Sequence, residues 1–282
     1  MRLLLVALTA VLSLPAQNAF DVRVSGHGKP MILIPGLASS GDTWDSTVAR
    51  YRDRFECHVL TVAGFAGVPR APGPMLDRLR DDLAGYIRKN KLDKPVIVGH
   101  SLGGFVALAL AVKYPELPGK LVIVDAYPFM LGASSPEMTA EEAKATATLI
   151  RGSMSRMDQK AYEDYVKAGT STRVMVTKDS DFQTLVDWSL KSDRTAVMDA
   201  MVELFSADLR GELDKIKSPT LVLGSWIGYK EYTDHPRTES NLRRQYAKLA
   251  GVDIQVNDTA RHFIMWDDPN WMFGQFDRFL KP

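Results

Sequence analysis

Ser101 lies at the centre of VGHSLGG (98–104), between the apolar run PVIV (95–98) and the Ala- and Leu-rich run FVALALA (105–111). The stretch fits G-x-S-x-G, a pattern in which a buried strand turns abruptly into a helix with a serine at the apex. Such a turn forces the apex residue into a strained backbone conformation, and side chains two positions to either side would collide with packed neighbours. Gly99 and Gly103 remove those collisions. The serine hydroxyl then projects from the end of a sheet, and the helix behind it offers free N–H groups and a positive dipole end where negative charge can develop. That is a nucleophile's setting. The competing use, an N-cap serine in a phosphate or dinucleotide loop, lacks the G-x-G-x-x-G spacing and the phosphate-loop lysine.

A serine hydroxyl is a poor nucleophile near neutral pH unless an imidazole takes its proton during attack. The chain has five histidines. His27 sits in a Gly-His-Gly turn, His58 is expected to begin a strand, and His235 precedes Pro236 in a polar loop. His100 adjoins Ser101, but on a sharp turn neighbouring side chains diverge, so it reads as a structural neighbour. His262 lies between the strand-like VDIQVND and a helical segment, where packing on Phe263 and Trp266 is its alternative use.

The elements that must position these residues follow from hydrophobic periodicity. Short apolar runs flanked by glycine or proline recur as MILIPG (31–36), HVLTVAG (58–64), VIVGHS (96–101), LVIVDA (121–126) and LVLGSW (221–226). Continuous apolar runs of this length suit strands buried on both faces. Helical patterns lie between them, at 75–89 and at 105–114 with Pro115 as the stop, and a last helix is expected over 269–280. Strands alternating with helices imply an α/β fold with a mostly parallel central sheet flanked by helices. From 128 to 217 the strand signal disappears and four helical patterns take its place. This segment is expected to be a helical cap inserted into one core made of 20–127 and 218–282, because a separate C-terminal domain would be too small to bury its own sheet.

The chain has 282 residues, 45% of them hydrophobic and 24% charged, which is enough to bury a sizeable core. Lys and Arg number 35 against 34 for Asp and Glu, so no net field favours nucleic acid and small molecules are the expected partners. Residues 3–14 carry no charge and follow a single Arg, a run too short to span a bilayer comfortably. Residues 1–19 are therefore expected to be an export signal cleaved after Ala16 or Ala19, giving a periplasmic or secreted protein without a stable membrane span; a retained hydrophobic anchor is the alternative. Cys57 is the single cysteine, which excludes an intrachain disulfide and a cysteine-built metal site. It is expected to be buried in the core.

GHGKPMILIPGLASSGDTW (26–44), VAGFAG (62–67), the elbow at 98–104 and ARHFIMWDDP (260–269) together resemble the capped esterases and lipases of the α/β-hydrolase superfamily, over nearly the whole chain after residue 20. The resemblance implies that His262 is the base. It implies oxyanion donors in the backbone N–H groups of Leu102, just after the nucleophile, and of Leu37 in the Pro-Gly-Leu-Ala loop. The family usually places its orienting acid shortly after the seventh strand, within LVLGSWIGYKEYTD, yet Gly228 occupies that place. Glu231 and Asp234 lie slightly downstream, whereas Asp125 ends the sixth strand, a position that some relatives use. A carboxylate closing a buried apolar run is costly to leave unpaired, so Asp125 is the expected acid and Glu231 and Asp234 are the alternative.

The activity implied is that of a serine carboxylesterase cleaving esters of apolar acyl or aryl groups through an acyl-enzyme. Tyr127, Phe129 and Met130 directly follow the catalytic edge and are the expected pocket residues, whereas most other apolar residues of the cap are expected to pack its helices. Lactonase, amidase, C–C hydrolase or perhydrolase chemistry uses the same nucleophile, and a non-catalytic ligand-binding protein could retain the same fold. No motif suggests a metal or an organic cofactor.

Overall fold

The computed structural model describes residues 18–135 and 137–281, so the expected export signal lies outside the described residues except for Asn18 and Ala19. The chain runs β1 (Phe20–Ser25), β2 (Lys29–Ile34), α1 (Asp45–Tyr51), β3 (Phe55–Val62), α2 (Met75–Lys89), β4 (Val96–His100), α3 (Leu102–Lys113) and β5 (Lys120–Val124). There follow α4 (Leu131–Ser134), α5 (Ala140–Ser155), α6 (Gln159–Ala168), α7 (Asp179–Lys191) and α8 (Arg194–Ser206). The sheet resumes with β6 (Thr220–Ser225), α9 (His235–Gln245), β7 (Asp253–Asn257), α10 (Ile264–Asp267) and α11 (Pro269–Leu280).

The strands form one sheet in the order β1-β3-β2-β4-β5-β6-β7, parallel throughout except that β1 runs antiparallel to β3. Alternation along β2 shows how both faces are filled. Ile32 and Ile34 pack with Leu79, Leu83 and Val106 of α2 and α3, while Met31 and Leu33 face Tyr51, Met272 and Phe276 of α1 and α11. α3 is apolar on every side and buried from Leu102 to Ala111, as expected for a helix enclosed between the sheet and other helices. Cys57 is fully buried in this core.

Residues 128–217 leave the sheet after β5 and return at β6 with helices and 3-10 turns and no strand among the described residues. Glu203 on α8 fastens this cap to the core. Its carboxylate accepts the N–H groups of Met75 (2.9 Å) and Leu76 (2.8 Å) at the start of α2, where Pro74 has no side-chain donor or acceptor to cap the helix. Among the described residues no helix is long and apolar enough to cross a membrane.

The structure adds one strand that the apolar runs do not mark and corrects two local expectations. β1 gives no apolar run, because it is an edge strand whose Val22 and Val24 are exposed. β3 begins at Phe55, so His58 lies within the strand. His235 is the first residue of α9 and pairs with Asp258 at 2.6 Å, so it is part of a capped helix start.

His58 is only 3% exposed, with Nδ1 2.8 Å from the Tyr86 hydroxyl. Burial lowers its pKa below the ordinary value, against the opposing effect of Glu56, and burial also holds that of His100 well below it. The unfolded chain therefore takes up protons that the folded chain refuses. The histidine contribution is complete above about pH 6.5 and is lost as pH falls from there toward the folded values. The thermal midpoint is expected to be lower at about pH 5.5 than at about pH 7.5, and this drop should shrink in His58→Gln. An equal drop in that variant would remove His58 from the account.

Candidate active site

At the elbow Ser101 adopts φ 52° and ψ −119°, a region that L-residues rarely occupy. Its N–H donates to the Val124 carbonyl (3.0 Å) and its carbonyl accepts from Phe105 (3.0 Å), so the strained residue is held at both ends. The close approaches explain the glycines. A Cβ on Gly99 would lie 2.2 Å from the Gly103 carbonyl oxygen, and one on Gly103 would lie 2.3 Å from that of Ile34. The Ser101 hydroxyl does not cap α3, which removes the N-cap use that the sequence alone left open.

Asp125 directly follows β5, the fifth strand of this chain and not a sixth, and it also has positive φ, at 46°. Its N–H donates to Leu223 on the neighbouring strand at 2.7 Å. Its Oδ1 accepts the Ser225 N–H (2.8 Å), and its Oδ2 accepts both the Ser225 hydroxyl (2.9 Å) and His262 Nδ1 (2.6 Å). The two side chains are nearly enclosed, at 9% exposure for Asp125 and 15% for His262. A carboxylate only accepts hydrogen bonds, so Nδ1 carries the proton and Nε2 keeps the lone pair that a base requires.

His100 braces the same loop. Its Nε2–H donates to the His262 carbonyl at 3.1 Å, and its ring centroid lies 4.5 Å from that of His262. Complete burial, reinforced by the nearby His262, pushes its pKa well below the usual value, so it is neutral. The residue next to the elbow serine thus ties the elbow to the loop that carries His262.

The other sequence-derived residues fall as follows. Asp234 caps α9 by accepting the Arg237 N–H at 2.9 Å, and Glu231 is exposed; neither is bonded to His262. Gly228 has no room for a carboxylate, because a Cβ there would lie 2.4 Å from the Val174 carbonyl oxygen. Leu102 opens α3, so its N–H has no carbonyl one turn earlier in the helix. The loop bearing Leu37 passes against the elbow at Gly36, where an added Cβ would come within 3.3 Å of Ser101 Cβ. Tyr127 and Met130 keep part of their surface, and burial raises the Tyr127 phenol well above its usual pKa. Phe129 is different. It has no exposed surface and packs beneath the Arg210 guanidinium, 4.5 Å from the ring centroid, so it lies within the packing of the cap segment itself and does not line an open pocket.

Sequence reasoning missed Ser225. It ends the apolar run of β6, and only the register that pairs Val124 with Leu223 brings it to Asp125. No local pattern marks it.

A model of the alpha/beta hydrolase family matches residues 31–274. The sn-1-specific diacylglycerol lipase ABHD11 of Danio rerio is 25% identical over 279 residues, covering 95% of this chain and 84% of the relative. The N-formylmaleamate deformylase of Pseudomonas putida is 26% identical over 267 residues, covering 92% and 91%. Among solved structures, a hydrolase from Pseudomonas aeruginosa superposes with a TM-score of 0.75 at 18% identity, over 97% of this chain and all of the other, a likeness of fold.

Ser225→Ala removes one donor from a charged and nearly enclosed carboxylate. The variant is expected to lose about 1.5–3 kcal/mol of unfolding free energy in urea titration. A loss below about 0.5 kcal/mol would place it among ordinary surface substitutions and contradict the role given to this hydroxyl.

Proposed function

The chain belongs to the alpha/beta hydrolase family, and from that premise we propose that it is a serine carboxylesterase acting on esters of apolar acyl or aryl groups. The observation that carries the reading is the 2.6 Å hydrogen bond from His262 Nδ1 to Asp125, formed beside an elbow that presents Ser101 in a strained conformation. In this reading Ser101 Oγ attacks the ester carbonyl as His262 Nε2 takes its proton. The oxyanion of the tetrahedral intermediate is stabilised by the N–H groups of Leu102 and Leu37. His262 then returns the proton to the leaving alcohol, which departs and leaves an acyl group on Ser101. Water, deprotonated by the same imidazole, attacks the acyl-enzyme and releases the acid and the free serine. Asp125 keeps the imidazole in the required tautomer and stabilises the imidazolium that forms twice in each cycle.

Tyr127 and Met130, in the segment that follows the acid, supply half-buried apolar surface at the cap border, which suits an apolar acyl or aryl group. Hydrolysis of a p-nitrophenyl ester series from acetate to palmitate, run beside the matching anilides, tests both reaction type and chain length. Turnover of the esters is expected, and Ser101→Ala should lower kcat by about a millionfold. Unchanged turnover in that variant would refute the nucleophile, and anilides cleaved in preference to esters would refute the carboxylesterase reading.

We further propose that the protein is exported to the periplasm or medium. Ala19 is buried, its N–H donates to Asp82 (3.2 Å) and its carbonyl accepts from Ala63 (2.9 Å). Cleavage after Ala16 keeps these bonds, whereas cleavage after Ala19 removes them. The exported protein is therefore expected to begin at Gln17 on N-terminal sequencing. A chain that still begins at Met1 would count against export.

A further inference from the structure

The loop carrying His262 is held on one side by the sheet. Asn257, at the end of β7, accepts the N–H groups of Thr259 (2.7 Å) and Ala260 through its side-chain oxygen. On the other side it is held by the cap. The cap segment 173–177 comprises the 3-10 turn Arg173–Met175 and the two residues that lead toward α7. Arg261 Nη1 donates to the carbonyls of Arg173 (2.8 Å) and Val176 (2.7 Å). The Phe263 N–H donates to the Met175 carbonyl at 3.1 Å. Asp267 completes the joint. Its Oδ2 accepts the Arg261 N–H (2.9 Å), and its Oδ1 accepts both the N–H (3.0 Å) and the hydroxyl (2.5 Å) of Thr177.

Both chain neighbours of His262 are therefore bonded to the same few residues of the cap. A histidine on a loop delivers its Nε2 to a serine only if the loop has one conformation, and a small displacement of a reacting group costs rate steeply. The sheet fixes His262 from Asn257 and the strand-end acid; the cap fixes it from Arg261 and Asp267. The close fit at Gly228, beneath the Val174 carbonyl, continues the same contact along the β6 loop.

We propose that the cap segment 173–177 positions the base, with Arg261 and Asp267 as the positioning residues that lock the His262 loop to it. The cap then has a part in the chemistry as well as in covering substrate. The proposal rests on the reading of His262 as the base, and the test separates the two.

The probe is an alkyl fluorophosphonate, which an activated serine attacks at phosphorus with loss of fluoride and transfer of the hydroxyl proton to the base. Adduct formation on Ser101 is followed by intact mass. Arg261→Met keeps the side-chain stem and removes the donors to the carbonyls. It should lower the maximal labelling rate tenfold or more, by about 1.4 kcal/mol or more, with the half-saturating probe concentration unchanged. Arg261→Lys, which retains a charged donor, should recover part of the rate. In a His262→Ala background the Arg261→Met change should alter the residual rate by less than about twofold, because it acts through the imidazole. Asp267→Asn should behave in the same way, which guards against a failure of one variant to fold.

An equal loss in both backgrounds, or a change confined to the half-saturating concentration, would overturn the positioning role. Full labelling by His262→Ala alone would overturn the base on which it rests.

Discussion

The hydrogen bond between Asp125 and His262 is formed by residues 137 positions apart, and neither could reach the other without the sheet. Asp125 sits where β5 ends, and Ser225, at the end of the adjacent strand, grips its carboxylate through both N–H and hydroxyl. A carboxylate this enclosed is costly unless its lone pairs are occupied. Here the two Ser225 donors and the imidazole occupy them. The tautomer of His262, and with it the availability of Nε2, follows from that arrangement.

Most of the strained non-glycine backbone lies at the same edge, with Lys91 and Lys94 in the turn before β4 as the others among the described residues. Ala38, Ala66, Ser101 and Asp125 all have positive φ, and each lies just beyond the C-terminal end of one of the consecutive parallel strands β2, β3, β4 and β5. Each such residue costs about 1–3 kcal/mol, which persists only where the surroundings over-determine the conformation. The largely buried strands and α3 supply that constraint. The cap adds its own, through Glu203 at the start of α2 and through the joint at the His262 loop.

Much of this was legible in the residues. The apolar runs located β2 to β6 because strands buried on both faces cannot hide their composition, and α2 and α11 were marked by periodicity. β1 was not legible, since an edge strand with exposed valines carries no such run. The elbow announced itself through glycines whose absent side chains leave room for nearby carbonyl oxygens. The acid was harder to read. Gly228 holds the usual place, and only the close contact with Val174 explains why no carboxylate fits. Ser225 and the Arg261–Asp267 joint were invisible because they depend on strand register and on the seating of the cap, neither of which has a local signature. Position in the chain alone puts Phe129 at the pocket, whereas its ring is fully enclosed.

Asp125 is the residue on which the proposed chemistry depends, and the most direct measurement is the turnover of Asp125→Asn beside Asp234→Asn on the best substrate of the ester series, with thermal midpoints to check folding. The predicted result is a loss of about ten-thousandfold in kcat for Asp125→Asn, through the wrong imidazole tautomer, and little change for Asp234→Asn. A folded Asp125→Asn variant that turns over at a near-normal rate would contradict it.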